Sequence, residues 1–183
     1  MRLSYQESME RFGTDKPDLR FEMELVSVSE ELRNTESNVF NNVLNKRGVI
    51  RGIVAPNAGD YDRRKTDELI DLAKSSGASG LVFISLGKDF DSIENLTDEN
   101  YKSPLKKFLT LNTVKELAIK MSAKPGDLIL LVADQENKVN TVLSNLRNFL
   151  GEKLNLYDKK DIMFAWVYDF PPVSYTHLRA HET

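Results

Sequence analysis

Apolar residues in this chain recur with two periods, and the switches between them set out its elements. Val49–Ala55 is a β-branched run closed by Pro56-Asn57-Ala58-Gly59, the pattern of a strand entering a turn. Asp62 then caps a helix to about Ser76. Thr66, Leu69, Ile70 and Ala73 share one of its faces, and Gly77 stops it. Gly80–Leu86 is apolar on both faces, as in a strand that is central or covered on two sides. Asn112 reads as the cap of a second helix bearing Val114, Leu117, Ala118 and Met121. Pro125-Gly126 turns into a further apolar strand, Asp127–Ala133. Asp134 then caps a third helix, buried through Val139, Val142, Leu143, Leu146, Phe149 and Leu150 and closing at Gly151.

Shorter signals fill the gaps. Met1–Arg11 suits a short helix ended by Gly13. Ser27–Asn38 is a polar crossing with a short helix at Ser29–Asn34, and Val39–Leu44 fits a helical turn as well as a strand. Asn45-Lys46-Arg47-Gly48 reads as a hairpin turn in which Gly48 takes the unusual dihedral. Gly87–Ser103 is an acidic loop whose length suggests mobility or a contact role. Met163–Phe170 is a strand centred on Trp166. The order β-β-α-β-α-β-α, a hairpin followed by alternating helices and strands, predicts an α+β fold, a two-layer α/β sandwich.

Composition narrows the chemistry. The chain has 183 residues, 40% hydrophobic and 29% charged, which suits a packed core rather than disorder. A net charge of −3 gives no global pull toward nucleic acid, so an RNA contact needs a local patch. Cysteine is absent, which removes disulfides, thiol catalysis and Cys-type zinc sites. The N-terminus has no secretory pattern and no apolar run is long enough to span a bilayer, so a cytoplasmic, non-membrane protein is expected.

Three clusters are candidates for chemistry. Lys46, Arg47 and Arg51 near one turn, with Arg63, Arg64 and Lys65 opening a helix, form a basic group. Cations at a helix N-terminus oppose its dipole, which hints at phosphate contact; the alternative is an ordinary solvated surface, with Asp60, Asp62, Asp67 and Glu68 at hand to neutralise it. Asp89, Asp91 and Glu94 lack the spacing of a calcium loop and read as a solvated acidic loop. His177 and His181, four apart beside Glu182, are the chain's two histidines; they read as a metal pair or as an artefactual tail. No glycine-rich phosphate loop occurs.

Arg11-Phe12-Gly13-Thr14-Asp15-Lys16-Pro17-Asp18-Leu19-Arg20 resembles the Arg-Tyr-Gly-Ser-Asp-Lys-Pro-Asp-Leu-Arg segment of bacterial-type aspartate–tRNA ligases, with Phe12 and Thr14 as conservative departures. Phe164-Ala165-Trp166-Val167-Tyr168-Asp169-Phe170-Pro171 resembles the strand Trp-Val-x-Asp-Phe-Pro by which that family's chain re-enters its catalytic domain. Gly77-Ala78-Ser79-Gly80-Leu81 and Leu146-Arg147 look like parts of the GAD module inserted between these two segments. The signature residues are thus Arg11, Gly13, Asp15, Lys16, Pro17, Asp18, Arg20, Trp166, Asp169, Phe170 and Pro171.

The resemblance implies a division of the chain: a catalytic-domain piece at 1–34, a GAD insertion at 35–154, a returning strand at 155–171 and an artefactual tail at 172–183. It also implies a mostly antiparallel sheet with helices on one side. The intact family enzyme, a homodimer, activates aspartate with ATP and magnesium and transfers it to the 3′ end of its tRNA. The family's catalytic, cofactor and metal motifs have no counterpart in this sequence, so the fragment is expected to be inactive alone. A stand-alone GAD-like module that associates with tRNA without catalysis is the alternative.

Overall fold

The computed structural model describes residues 1–33 and 35–172. The chain opens with strand β1 (Arg2–Ser4) and helix α1 (Tyr5–Phe12). Ser4 caps α1 by accepting from the Glu7 amide at 3.1 Å. Gly13, at φ 70°, ends it and returns its amide to the Met9 carbonyl. Then follow β2 (Val26–Ser27), α2 (Ser29–Leu32), α3 (Asn38–Asn45), β3 (Val49–Ala55), α4 (Arg63–Ser75), β4 (Val82–Leu86), β5 (Tyr101–Lys102), α5 (Leu111–Lys120), β6 (Leu128–Asp134), α6 (Glu136–Lys153) and β7 (Trp166–Tyr168).

Five strands form one sheet in the order β2-β3-β6-β4-β5, every neighbouring pair antiparallel. β6 lies at its centre, in register with β3 from Val49↔Asp134 to Ala55↔Leu128. The α+β class and the antiparallel sheet are as expected. The cover is not. Helices pack on both faces rather than one, because β6 is apolar at every position from Leu128 to Val132 and needs shelter twice. Ile129 and Leu131, with Ile50, Ile84 and Leu86, meet Leu32 of α2, Phe40 of α3 and Val114, Leu117 and Ala118 of α5. Leu128, Leu130 and Val132, with Ile53 and Ala55, meet Leu69 and Ala73 of α4 and the stripe Val139, Val142, Leu143, Leu146 and Leu150 of α6. No helix among the described residues is long and apolar enough to cross a membrane.

Several local readings need correction. Asn45–Gly48 is not a hairpin turn; it joins α3 to β3, and Arg47 takes the positive φ of 59°. β2 and β3 do pair, but α2 and α3 lie between them. Thr110, not Asn112, caps α5, accepting from the Thr113 amide at 3.1 Å. Gln135 holds the cap position of α6, and Asp134 instead ends β6 and accepts the Gln135 amide. Gly151 lies inside α6. The stretch 87–103 is pinned by buried Ile93, Leu96 and Tyr101 around single 3₁₀ turns. Of Met163–Phe170 only Trp166–Tyr168 is paired, parallel to β1. The Asp62 cap on α4 is as expected, its carboxylate accepting the Lys65 amide at 2.9 Å.

Candidate functional site

Of the places the sequence singles out, the basic group and the Arg11–Arg20 signature, with the Phe21–Leu25 stretch that follows it, carry the most charge. The structure takes the first apart. Lys46 and Arg47 stand exposed before β3, whereas Arg63, Arg64 and Lys65 open α4 beyond its far end. Seven strand residues separate the two by roughly 20 Å. Arg51 belongs to neither set. Its side chain is 11% exposed, pairs with Glu136 at 2.8 Å and donates to the Asn140 side chain at 2.8 Å, so it ties β3 to α6. Arg63 is 95% exposed with Asp67 at 3.7 Å, and Lys65 sits 4.8 Å above the Tyr61 ring. What remains is an exposed basic turn at the start of α4. Asp89, Asp91 and Glu94 are exposed, and among the described residues no three carboxylate or histidine groups converge as a metal site. His177, His181 and Glu182 lie outside the described residues.

The Arg11–Leu25 segment is built differently. Its outer charges pair locally. Arg11 donates to Glu24 and Glu7, each at 2.9 Å, and Arg20 binds Asp18 at 2.9 and 2.6 Å while stacking 3.8 Å from the Tyr157 ring. Lys16 pairs with Asp15 at 3.4 Å on the surface. The inner side rests on α6, and the residue that makes this possible is Arg147. It is 1% exposed. Its Nε donates to the Met23 carbonyl and one terminal nitrogen to the Phe21 carbonyl, both at 2.9 Å, with Glu22 at 3.4 Å. The guanidinium lies 4.1 Å from the Phe21 ring and 5.0 Å from Phe12. Burial pushes its pKa down to about 10, opposed by Asp18 and Glu24, so it stays charged at neutral pH.

Two glycines allow the approach. A Cβ on Gly13 would sit 2.5 Å from the Asn140 carbonyl, and one on Gly151 would sit 2.5 Å from the Phe21 ring. Sequence reading named Gly13 and mentioned Arg147 only as a family-like detail. It missed Phe21 and misread Gly151. The available signal was a glycine inside a helical apolar stripe, which marks close packing as readily as a stop.

The hydrogen bond from Arg20 holds the Asp18 carboxyl below its ordinary range, and that from Arg11 does the same for Glu24. Both carboxyls therefore contribute stability that is complete above their unfolded pKa values and is lost as pH falls through the lower, folded ones. Amide protection at Leu25, which donates to the Arg11 carbonyl, is expected to drop below about pH 4 before that of β6. Hydrogen exchange at pH 7 and pH 3 measures this. Equal loss in both places would contradict it.

The module and its flanks have known relatives. Over 170 residues, 93% of this chain, it is 48% identical to an aspartate–tRNA(Asp/Asn) ligase of Dehalococcoides mccartyi strain CBDB1. Similar proteins of the same description occur in Thermoanaerobacter sp. strain X514, at 44% over 95% of the chain, and in Moorella thermoacetica, at 40% over 96%. The chain spans about 28% of the length of each of these relatives. The model of one family, described as the GAD domain, matches residues 40–143. That match covers more than half of the sequence, and the chain belongs to the GAD domain family.

Proposed function

We propose that this chain is a piece of an aspartate–tRNA ligase: the inserted GAD module at 35–154, carried between a catalytic-domain segment at 1–34, whose β2 and α2 beyond the Phe21–Met23 junction complete the module's sheet and core, and a returning strand at 155–171. The observation that carries the reading is the reach of the similarity. It extends through both flanks, over 93% of the chain, well beyond the family match at 40–143. The parallel pairing of β1 with β7 supports it, since the two flanks meet and the module between them is a closed excursion. The apolar face around β7 fits as well. Phe164 is 82% exposed and Trp166 71%, surface that the rest of a longer protein would cover.

In this reading the intact protein is a cytoplasmic homodimer that activates aspartate with ATP and magnesium and transfers it to the 3′ end of its tRNA. Among the described residues no three carboxylate or histidine groups converge to hold magnesium, and the sequence has no glycine-rich phosphate loop for ATP. The relatives' description covers both aspartate and asparagine tRNA, and we extend that to the parent of this chain. Replacing the matching segment of the Dehalococcoides mccartyi ligase with residues 1–171 of this chain tests the reading. Aspartylation is expected to stay within about tenfold, or 1.4 kcal/mol. A folded chimera that cannot charge tRNA would sink it.

The module's part in this reading is an accessory contact with the tRNA backbone, centred on Arg63 and Arg64. Removing both charges is expected to weaken tRNA binding by this chain about equally for all sequences. The logarithmic salt slope should fall by about one per lost phosphate contact. Unchanged binding across a salt titration rejects this surface.

A further inference from the structure

We propose that Arg147 is a positioning residue that fixes the direction in which α6, and with it the whole module, leaves the Phe21–Met23 junction. Met23 has a φ of 89°, a conformation that a side-chain-bearing residue holds only when its surroundings over-determine it. Its carbonyl and that of Phe21 both accept from the one guanidinium. The ring of Phe21 is clamped between that guanidinium and the space left by Gly151, and stacks on Tyr157 at 5.6 Å. The Gly13 backbone bears on Asn140 at the other half of α6. A planar fork that binds the Phe21 and Met23 carbonyls together fixes an orientation, which a flexible ammonium does not.

The consequence is a stiff joint. Without the fork, Met23 relaxes toward extended backbone and the module swings on its flanks while its own two cores stay packed. This goes beyond the ligase reading, and its test uses neither tRNA nor ATP, so the two can fail separately.

The sequence has no cysteine, so spin labels can be placed without background. One pair, Glu10→Cys with Lys74→Cys, spans the joint from α1 to α4; a second, Lys74→Cys with Glu116→Cys, lies within the module. All three sites are exposed. In Arg147→Met the width of the first distance distribution is expected to grow about twofold, with the second unchanged. Arg147→Lys, which keeps the charge, should show the same difference in case the methionine variant fails to fold. In a Met23→Gly background, where the positive φ costs little, the widening should be at most about half as large. Unchanged widths in a folded variant, widening of both pairs together, or equal widening with glycine at position 23 would each overturn the proposal.

Discussion

Gly13→Ala is expected to destabilise the chain by roughly 3 kcal/mol. Two costs combine. The backbone at position 13 has φ 70°, which costs an alanine about 1 kcal/mol or more. The new methyl would also lie 2.5 Å from the Asn140 carbonyl and 3.0 Å from a Leu25 methyl. The leucine can rotate away, but the carbonyl is part of α6 and moves only if the helix moves. Urea unfolding gives the loss directly. Gly13→Asn separates the two costs, because asparagine tolerates the left-handed conformation and still carries a Cβ. It should recover less than half of the loss. Full recovery would mean that dihedral strain alone matters and that α6 does not bear on this glycine.

That result would also explain what the sequence could and could not disclose. Elements whose signals are local were legible. β3 runs from Val49 to Ala55 as its β-branched composition predicts, and Asp62 caps α4 as its position before the apolar stripe predicts. Features that depend on a distant partner were not. Gly151 looks like a helix stop until Phe21, far away in sequence, is placed against it. Arg51 looks like part of a basic surface until α6 brings Glu136 and Asn140 beneath it. The split of the basic group was open to reasoning, since a strand between Arg47 and Arg63 must carry them apart at about 3.3 Å per residue. The side of the sheet on which each helix lies was harder. A helix stripe fixes which face of the helix is buried, not which face of the sheet it covers. The continuous apolar run of β6 held that information, as the run Gly80–Leu86 does for the neighbouring β4.

Leu130→Ala and Leu131→Ala test the two-faced architecture with identical chemistry at adjacent positions. Leu130 faces α4 and α6, Leu131 faces α2, α3 and α5, and each is almost wholly buried. Every helical layer here depends on this central strand, so each deletion opens a cavity in a core that cannot collapse without parting a helix from the sheet. Each is expected to cost about 2–5 kcal/mol, measured by urea unfolding. A sheet covered on one side would give a different result, one substitution costly and its neighbour close to neutral, because successive strand residues point to opposite faces. The double variant carries the argument further. The two side chains share no cavity, so their costs should add to within about 0.5 kcal/mol, despite being neighbours in sequence. A large coupling would mean that the two cores communicate through β6 and do not act as separate layers.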